Sequence, residues 1–367
     1  MPKGSFRGGV HPPGNKSSTA GLSIVRAQRP SQVVVMLRQA TRSALTPIVE
    51  KGSAVLMGQK IADSEDRRAV PVHSPVSGKV TGIVTVRAWN GCLEPAVAIE
   101  SDGEDTLADS VAPVAEVEAL SREELLAIIR DAGIVGMGGA EFPTHAKLAL
   151  PANVKADTFI INGAECEPYL TADHRLMVER PADVVRGAQI LMSAVGVSKG
   201  IIAVEDNKPD AAEALRHAAR AAQGIEVAVV ETKYPQGSEK HLIKSVLGRS
   251  VPPGCLPFHV GVVVNNVATA VAVADRFDRG MPLIERVVTV TGSAVASPAN
   301  VLARIGTKAQ ELIDQCGGYS MEPGKIVFGG PMMGCPIPST DVSISKGTSG
   351  ILVLSQAEAK RIEPIAC

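Results

Sequence analysis

The glycine-rich stretch of this chain reads Gly133-Ile134-Val135-Gly136-Met137-Gly138-Gly139-Ala140-Glu141-Phe142-Pro143-Thr144-His145-Ala146-Lys147. It holds four glycines within seven residues and a lysine eight positions after the last of them. Glycines lack a Cβ, so several backbone N–H groups can converge on one anion, and Lys147 adds a positive charge on a flexible stem. The stretch predicts a phosphate cradle, with a plain glycine-rich connector as the alternative.

The residues before this cradle predict a helix. Ser121-Arg122-Glu123-Glu124 has the pattern of a capping box, and Leu125, Ile128 and Ile129 form the apolar stripe that follows it. The cradle is not the dinucleotide-binding fingerprint, because the glycine spacing differs and no strand immediately precedes it. It is not a Walker loop either, because no Lys-Ser or Lys-Thr pair closes it.

Composition describes a globular chain of 367 residues, 45% hydrophobic and 20% charged, long enough for two or three domains. Lys and Arg number 37 against 38 Asp and Glu, and aromatics are 3%, which argues against a nucleic-acid partner.

The chain has no run of about 20 apolar residues for a spanning helix, and its start lacks the apolar core of a signal peptide. We therefore expect a cytoplasmic protein, free or docked to a membrane partner. Its six cysteines are widely scattered, a pattern that indicates reduced thiols and not a disulfide framework.

The first two regions are predicted to be an arm and a β domain. Residues 1–30 carry Gly8-Gly9 and Pro12-Pro13 and predict an extended arm. Residues 31–117 carry short β-rich runs with tight turns, and their half-repeats resemble a biotinyl/lipoyl-type barrel sandwich. The segment 63–69, where a carrier lysine would lie, contains none. We expect the scaffold without the swinging-arm chemistry.

Residues 118–283 alternate apolar strands with amphipathic helices. The expected strands are 158–162, 201–204, 227–231 and 262–265, and the expected helices lie near 181–195, 208–222 and 238–247. This order predicts a mainly parallel sheet covered on both faces. Residues 284–355 show strand–helix–strand order and predict a small α+β, ubiquitin-like module, followed by a tail over 356–367.

Polar clusters follow the predicted strands of the parallel sheet. Asn162, Glu165 and Glu167 follow the first, and residues 205–208 and 265–266 follow two others, while Gly237-Ser238-Glu239 opens a helix. Ligands of open α/β sheets bind beyond the carboxyl ends of strands, and helix N-termini favour anions. With the cradle, these clusters predict a ligand with a phosphate and a planar ring. Solvated turns are the alternative interpretation.

Taken together, these motifs resemble the RnfC family, the C subunits of the Rnf ion-translocating electron-transport complex, and more distantly the flavoprotein subunit of respiratory complex I. The resemblance extends over nearly the whole chain and rests on the segments 6–13, 138–144, 162–173, 205–208, 265–266 and 329–334. It implies a multidomain α/β and α+β protein: a barrel-sandwich domain, a central FMN-binding α/β domain, and a C-terminal β-grasp (SLBB-like) domain.

The resemblance also implies cofactors and site residues. FMN would bind non-covalently, with NADH as hydride donor over its ring. The phosphate and ribityl chain would contact Gly136, Gly138, Gly139 and Lys147. The isoalloxazine or ribityl groups would contact Asn162, Glu165, Asn265 and Asn266. Gly237 and Glu239 would line the same pocket, and Phe142 and Glu167 would contact NADH. The cofactors carry the chemistry, so no side chain is expected to act as a general base.

Three departures from the family pattern affect these expectations. Glu141 and Ser238 stand where the family usually has glycines, and a positive φ or a phosphate-facing carboxylate at Glu141 would lower flavin affinity. The family's two [4Fe-4S] clusters need Cys-rich segments that should begin near Cys367, where this sequence ends. We expect either a fragment, with Cys367 as a first cluster ligand, or a cluster-free variant.

The expected function is that of an NADH-oxidising electron-transfer subunit of a membrane-associated, ion-translocating ferredoxin:NAD oxidoreductase complex. The expected partners are other subunits of that complex and an acceptor cluster or ferredoxin-like subunit, on the cytoplasmic side of the bacterial inner membrane. The alternatives are a non-catalytic scaffold with a decayed flavin site, and a cobalamin- or quinone-directed flavin reductase.

Overall fold

The computed structural model describes residues 4–39, 45–66 and 68–359. Cys367 lies outside them, so its expected role as a cluster ligand has no structural description. The N-terminal arm is extended and holds one short strand, β1 (Val25–Arg26), which pairs in parallel with residues 301–302 of the third domain. The arm therefore adds an edge strand to the sheet of a domain far away in sequence. No helix in the described ranges is long and apolar enough to cross a membrane.

The second region is a barrel sandwich of two antiparallel sheets, as expected. Its strands are β2 (Gln32–Met36), β3 (Thr46–Pro47), β4 (Ala54–Val55), β5 (Lys60–Asp63), β6 (Val72–His73), β7 (Gly78–Arg87) and β8 (Leu93–Ser101). The sheet orders are β2-β8-β7-β4 and β3-β5-β6. Val33, Val35 and Ile61 pack between the sheets with Val97 and Ile99. Their aliphatic side chains alternate inward along the strands, which is why this segment folds as a sandwich.

The central domain is an α/β unit with a four-stranded, all-parallel sheet. Its elements are α1 (Arg122–Asp131), α2 (Thr144–Leu148), β9 (Thr158–Gly163), α3 (Ala172–Glu179), α4 (Pro181–Val195), β10 (Gly200–Glu205), α5 (Pro209–Ala219), β11 (Ile225–Val230), α6 (Glu239–Leu247), β12 (Val262–Asn266) and α7 (Val267–Arg279). The strand order is β11-β10-β9-β12. The predicted capping box of α1 is confirmed, because Ser121 Oγ accepts from Glu124 N at 3.2 Å and Glu124 Oε2 accepts from Ser121 N at 2.7 Å.

Both faces of this sheet are covered, which explains the nearly continuous apolar strands. Along β9, Phe159 and Ile161 pack with the helices on one face, whereas Ile160 packs with Leu242 and Ile243 of α6 on the other. Gly187 of α4 allows α4 and α7 to pack closely, because a Cβ there would lie 1.9 Å from Ala270 O of α7. Burial on both faces fixes the strand register, and so fixes which residues end at the carboxyl edge.

The third domain is a mixed sheet with one helix, the expected β-grasp module. Its elements are β13 (Glu285–Thr291), β14 (Ala299–Arg304), α8 (Ala309–Gln315), β15 (Pro323–Phe328), β16 (Cys335–Pro336) and β17 (Gly350–Ser355). With the arm strand, the sheet order is β1-β14-β13-β17-β15-β16. Leu312 and Ile313 of α8 pack on Val288, Val290 and Ile351. This domain supplies two loops to the candidate site.

Candidate nucleotide site at the carboxyl edge of the sheet

The strand register brings two of the predicted asparagines to neighbouring positions. Asn266 at the end of β12 pairs with Asn162 at the end of β9. Asn162 Nδ2 donates to Gly237 O at 2.8 Å, and Asn162 Oδ1 accepts from Ala164 N at 3.0 Å. The side chain of Asn162 therefore ties the turn before α6 to the edge of the sheet.

The glycine cradle lies against the start of α7. A Cβ on Gly138 would lie 3.3 Å from Asn266 Cβ, and Met137 N donates to Thr269 Oγ1 at 2.9 Å. Gly139 has φ +116°, and an added Cβ there would meet no atom within 4 Å. The backbone is thus anchored to α7 on one side and open at Gly139, where a ligand can approach it closely.

Lys147 connects the cradle to the N-terminus of α6. It lies in α2, and its ammonium group contacts the carboxylate of Glu239 in the first turn of α6. Both side chains are partly exposed, at 26% and 39%. Lys147 and Glu239, 92 residues apart in sequence, therefore bring the cradle segment and the Gly237 turn together. Ser238, the other position where the family usually has a glycine, is the N-cap residue of α6.

The two predicted glutamates lie in the loop after β9. Glu165 is buried, its Oε1 accepts from Asp173 N at 2.9 Å, and its Oε2 has no hydrogen-bond partner among the described residues. Glu167 Oε2 accepts from Met332 N of the third domain at 3.0 Å, and its buried Oε1 also lacks a partner there. Burial raises the pKa of the Glu167 carboxyl. Each glutamate thus keeps one carboxylate oxygen available to a donor.

Asp173 is a site residue that the sequence pattern did not single out for a role. Its Oδ2 accepts from Asn266 Nδ2 at 2.7 Å, while Asn266 Oδ1 caps α7 through Ala268 N at 2.8 Å. Burial, with the nearby charge of Glu165, raises the pKa of the Asp173 carboxyl to about 7. Asp173 therefore links the glutamate loop to the asparagine pair.

Replacement of Asp173 by asparagine is expected to change how stability depends on pH. The folded protein keeps a proton on Asp173 that the unfolded chain releases, so the carboxyl lowers the wild-type free energy of unfolding as pH rises from about 4 to about 7. Asp173→Asn cannot ionise, so its stability relative to wild type should rise by up to about 1.4 kcal/mol per pH unit in that window. Urea unfolding at pH 5, 6, 7 and 8 measures this. The exposed Asp109→Asn is the control, and parallel wild-type and Asp173→Asn curves would refute the assignment.

The described residues fit a flavin mononucleotide. Asn265 is 3% exposed, and its Nδ2 has no hydrogen-bond partner among them. An unmet buried donor costs about 1–3 kcal/mol, which a polar ring edge would recover. The open backbone at Gly139 and the cation of Lys147 suit a phosphate. Phe142, half exposed beside the cradle, offers an apolar surface to a second ligand.

Glu141 adopts a positive φ of 51°, so this position does have the backbone conformation that favours glycine. Its carboxylate is engaged by the third domain: Ser345 Oγ donates to Oε1 at 3.0 Å, and a Cβ on Gly347 would lie 1.7 Å from the same oxygen. Burial raises the pKa of Glu141, opposed by Ser345, Arg286 and Lys346. The carboxylate that departs from the family pattern therefore has a partner outside the cradle.

No metal site is visible in the part of the chain that the structure describes. Within 4–39, 45–66 and 68–359, no group of three or more His, Cys, Asp or Glu side chains could hold a metal ion. The cysteines in these ranges are free thiols.

The fold and the site define a class: a flavoprotein-type α/β domain between a barrel sandwich and an SLBB domain. Three family profiles match in that order. They are described as "RnfC Barrel sandwich hybrid domain" over residues 4–104, "Nuo51 FMN-binding domain" over 129–275 and "SLBB domain" over 287–336. The expected fold classes are confirmed for all three regions.

Close relatives then identify the family. The chain is 46% identical to the C subunit of the Na(+)-translocating ferredoxin:NAD(+) oxidoreductase complex of Acetobacterium woodii, over 99% of this chain and 82% of the relative. It is 46% identical to the proton-translocating counterpart of Clostridium ljungdahlii, over 99% of this chain and 79% of the relative. The C subunit of the ion-translocating oxidoreductase complex of Rhodobacter capsulatus is 42% identical over 99% of this chain and 70% of its own length. The chain belongs to this family of oxidoreductase-complex C subunits.

Solved structures support the fold. An NAD+-reducing [NiFe]-hydrogenase in the H2-reduced state aligns with a TM-score of 0.52 and 24% identity, covering 66% of this chain and 49% of the hydrogenase chain. An NAD+-reducing [NiFe]-hydrogenase in the air-oxidised state aligns with a TM-score of 0.53 and 24% identity, covering 66% of this chain and 48% of the other. At this identity the likeness concerns the fold alone.

Proposed function

We propose that this chain is the NADH-oxidising, FMN-binding subunit of a membrane-associated, ion-translocating ferredoxin:NAD oxidoreductase complex. The observation that carries the proposal is the convergence, at one sheet edge, of the glycine cradle, Lys147, the Gly237 turn and the asparagine pair. Contacts between Asn162 and Gly237, between Lys147 and Glu239, and between Gly138 and Asn266 support it. The proposed substrates, ferredoxin and NAD, are those printed in the names of the relatives.

Each site residue has a proposed task. The N–H groups of Gly138 and Gly139 and the Lys147 ammonium hold the phosphate, and Gly136, whose own N–H donates to Phe142 O at 2.8 Å, lines the cradle. The ring and ribityl chain are held by Asn162, Glu165, Asn265 and Asn266, with Gly237 and Glu239 lining the same site. Phe142 and Glu167 bind NADH. When bound, FMN supplies the hydride exchange with NADH and the passage of single electrons.

The proposed partners lie in the same complex. The names of the relatives describe translocating complexes, and we propose that this chain docks peripherally on the cytoplasmic side of the cell membrane. Electrons would pass between the flavin and iron–sulfur clusters whose ligands lie outside the described residues. Cys367 as a first cluster ligand stays a prediction.

FMN loading followed by anaerobic NADH addition tests the proposal. We expect one FMN per chain, loss of the oxidised-flavin absorbance with NADH, ferricyanide reduction at the expense of NADH, and no stoichiometric iron or sulfide. Protein that retains no flavin after loading with FMN would favour the scaffold alternative instead. Flavin that binds but is not reduced by NADH would favour a flavoprotein with a different donor.

A further inference from the structure

The N-terminal arm lies along the carboxyl edge of the parallel sheet. Val10 and Tyr234 exchange two backbone hydrogen bonds of 2.8 Å beyond β11, and Tyr169 N donates to Gly14 O at 2.8 Å in the loop after β9. Thr19 Oγ1 lies 2.7 Å from Thr171 Oγ1, where that loop enters α3. The arm therefore contacts the loop that carries Glu165 and Glu167 at two places, at Tyr169 within the loop and at Thr171 where the loop ends.

Lys16 makes the most concentrated of these contacts. Its Nζ donates to Glu165 O at 3.0 Å, to Glu167 O at 2.8 Å and to Leu170 O, and lies 3.7 Å from Glu165 Oε2. The side chain is only 14% exposed. An ammonium group has three N–H donors, so a single turn of the loop uses all of them.

The loop that Lys16 holds carries two buried carboxylate oxygens without hydrogen-bond partners among the described residues. These are Glu165 Oε2 and Glu167 Oε1, both buried and both without a hydrogen-bond partner in the described ranges. Three carbonyls directed at one ammonium fix the backbone at the two glutamates themselves and at Leu170. Without Lys16 these carbonyls would lose their donor, and the buried Glu165 would lose a counter-charge.

We propose that Lys16 is a positioning residue that holds the 165–170 loop so that Glu167 presents its carboxylate oxygen to the nicotinamide nucleotide and Glu165 presents its own to the flavin. This inference rests on the proposed function. The ligand chemistry follows from the site, because a carboxylate accepts from N–H and O–H donors: a carboxamide or ribose hydroxyl of the nicotinamide nucleotide for Glu167, and a ring N–H or ribityl hydroxyl of the flavin for Glu165. Lys16 contacts neither the glycine cradle nor Lys147, so phosphate binding does not depend on it.

Steady-state kinetics of FMN-loaded protein test this inference. Lys16→Ala is expected to raise KM for NADH at least about tenfold, as loss of charged hydrogen bonds implies, to raise the FMN Kd through the displaced Glu165, and to leave kcat at saturating FMN within about threefold. Ethylammonium added to this variant should restore KM, because it carries three N–H donors. Tetramethylammonium has the same charge without N–H donors and should not. The exposed Arg7→Ala is the control from the same arm.

Each other outcome supports or overturns the inference. An unchanged KM in Lys16→Ala, or equal rescue by both ammonium ions, overturns it. If Lys16→Ala does not fold, Lys16→Met keeps the apolar stem and is tested in the same way. If NADH fails to reduce wild-type flavin, the proposed function fails, and hydrogen exchange then measures the positioning step. Faster exchange of the 165–171 amides in the variant supports that step, and unchanged exchange overturns it.

Discussion

Lys147→Ala is expected to weaken FMN binding by about 10- to 100-fold, because a charged hydrogen bond to a phosphate contributes about 1.5–3 kcal/mol. The Lys147 ammonium contacts Glu239 at the start of α6. An FMN phosphate in the cradle would contact both this ammonium group and the backbone N–H groups of the glycines. Quenching of FMN fluorescence on binding gives the Kd directly.

The control for Lys147 is Lys155→Ala, which removes an exposed lysine from the same region. Its Kd should equal that of wild type, so that a general loss of positive charge is separated from loss of the cradle cation. Raising the salt concentration should weaken FMN binding to wild type more than to Lys147→Ala. Equal Kd values for wild type and Lys147→Ala would remove Lys147 from the phosphate site.

Gly237→Val is expected to lower FMN affinity by more than about 100-fold, that is, by more than about 2.7 kcal/mol. A Cβ at Gly237 would lie 2.4 Å from Ala164 O and 3.3 Å from Cys166 Sγ, so the turn and the loop after β9 must separate. That separation breaks the contact between Asn162 Nδ2 and Gly237 O. FMN titration and thermal unfolding, measured on the same samples, distinguish a deformed site from an unfolded protein.

Gly21→Val is the matched control for Gly237. Gly21 has no positive φ, and an added Cβ there would meet nothing within 4 Å. Both the melting temperature and the FMN Kd of this variant should stay near wild type. If Gly237→Val folds and binds FMN as wild type does, the Gly237 turn is not part of the flavin site.

Much of the architecture could be predicted because its determinants are local. The four parallel strands follow from short apolar runs, and the helix before the cradle follows from the capping box at Ser121. Once the sheet is parallel, the residues that end its strands share one edge. The convergence of Asn162 with Asn266 is thus a consequence of topology and register.

The contacts that connect the domains could not be predicted in the same way. Lys16 lies about 150 residues from the loop it holds, and the arm strand β1 joins a sheet nearly 280 residues away. No spacing or periodicity encodes such pairs. The sequence raised the question of a positive φ at Glu141, but the direction of its side chain toward Ser345 depends on a third domain.

The central claim is that one flavin mononucleotide binds where the glycine cradle meets the carboxyl edge of the parallel sheet. An experimental structure of the chain with FMN tests it most directly. The account predicts phosphate density against Gly136–Gly139 and Lys147, with the ring beside Asn265 and Asn266. FMN density on another surface, with these residues making no contact to it, would contradict the account.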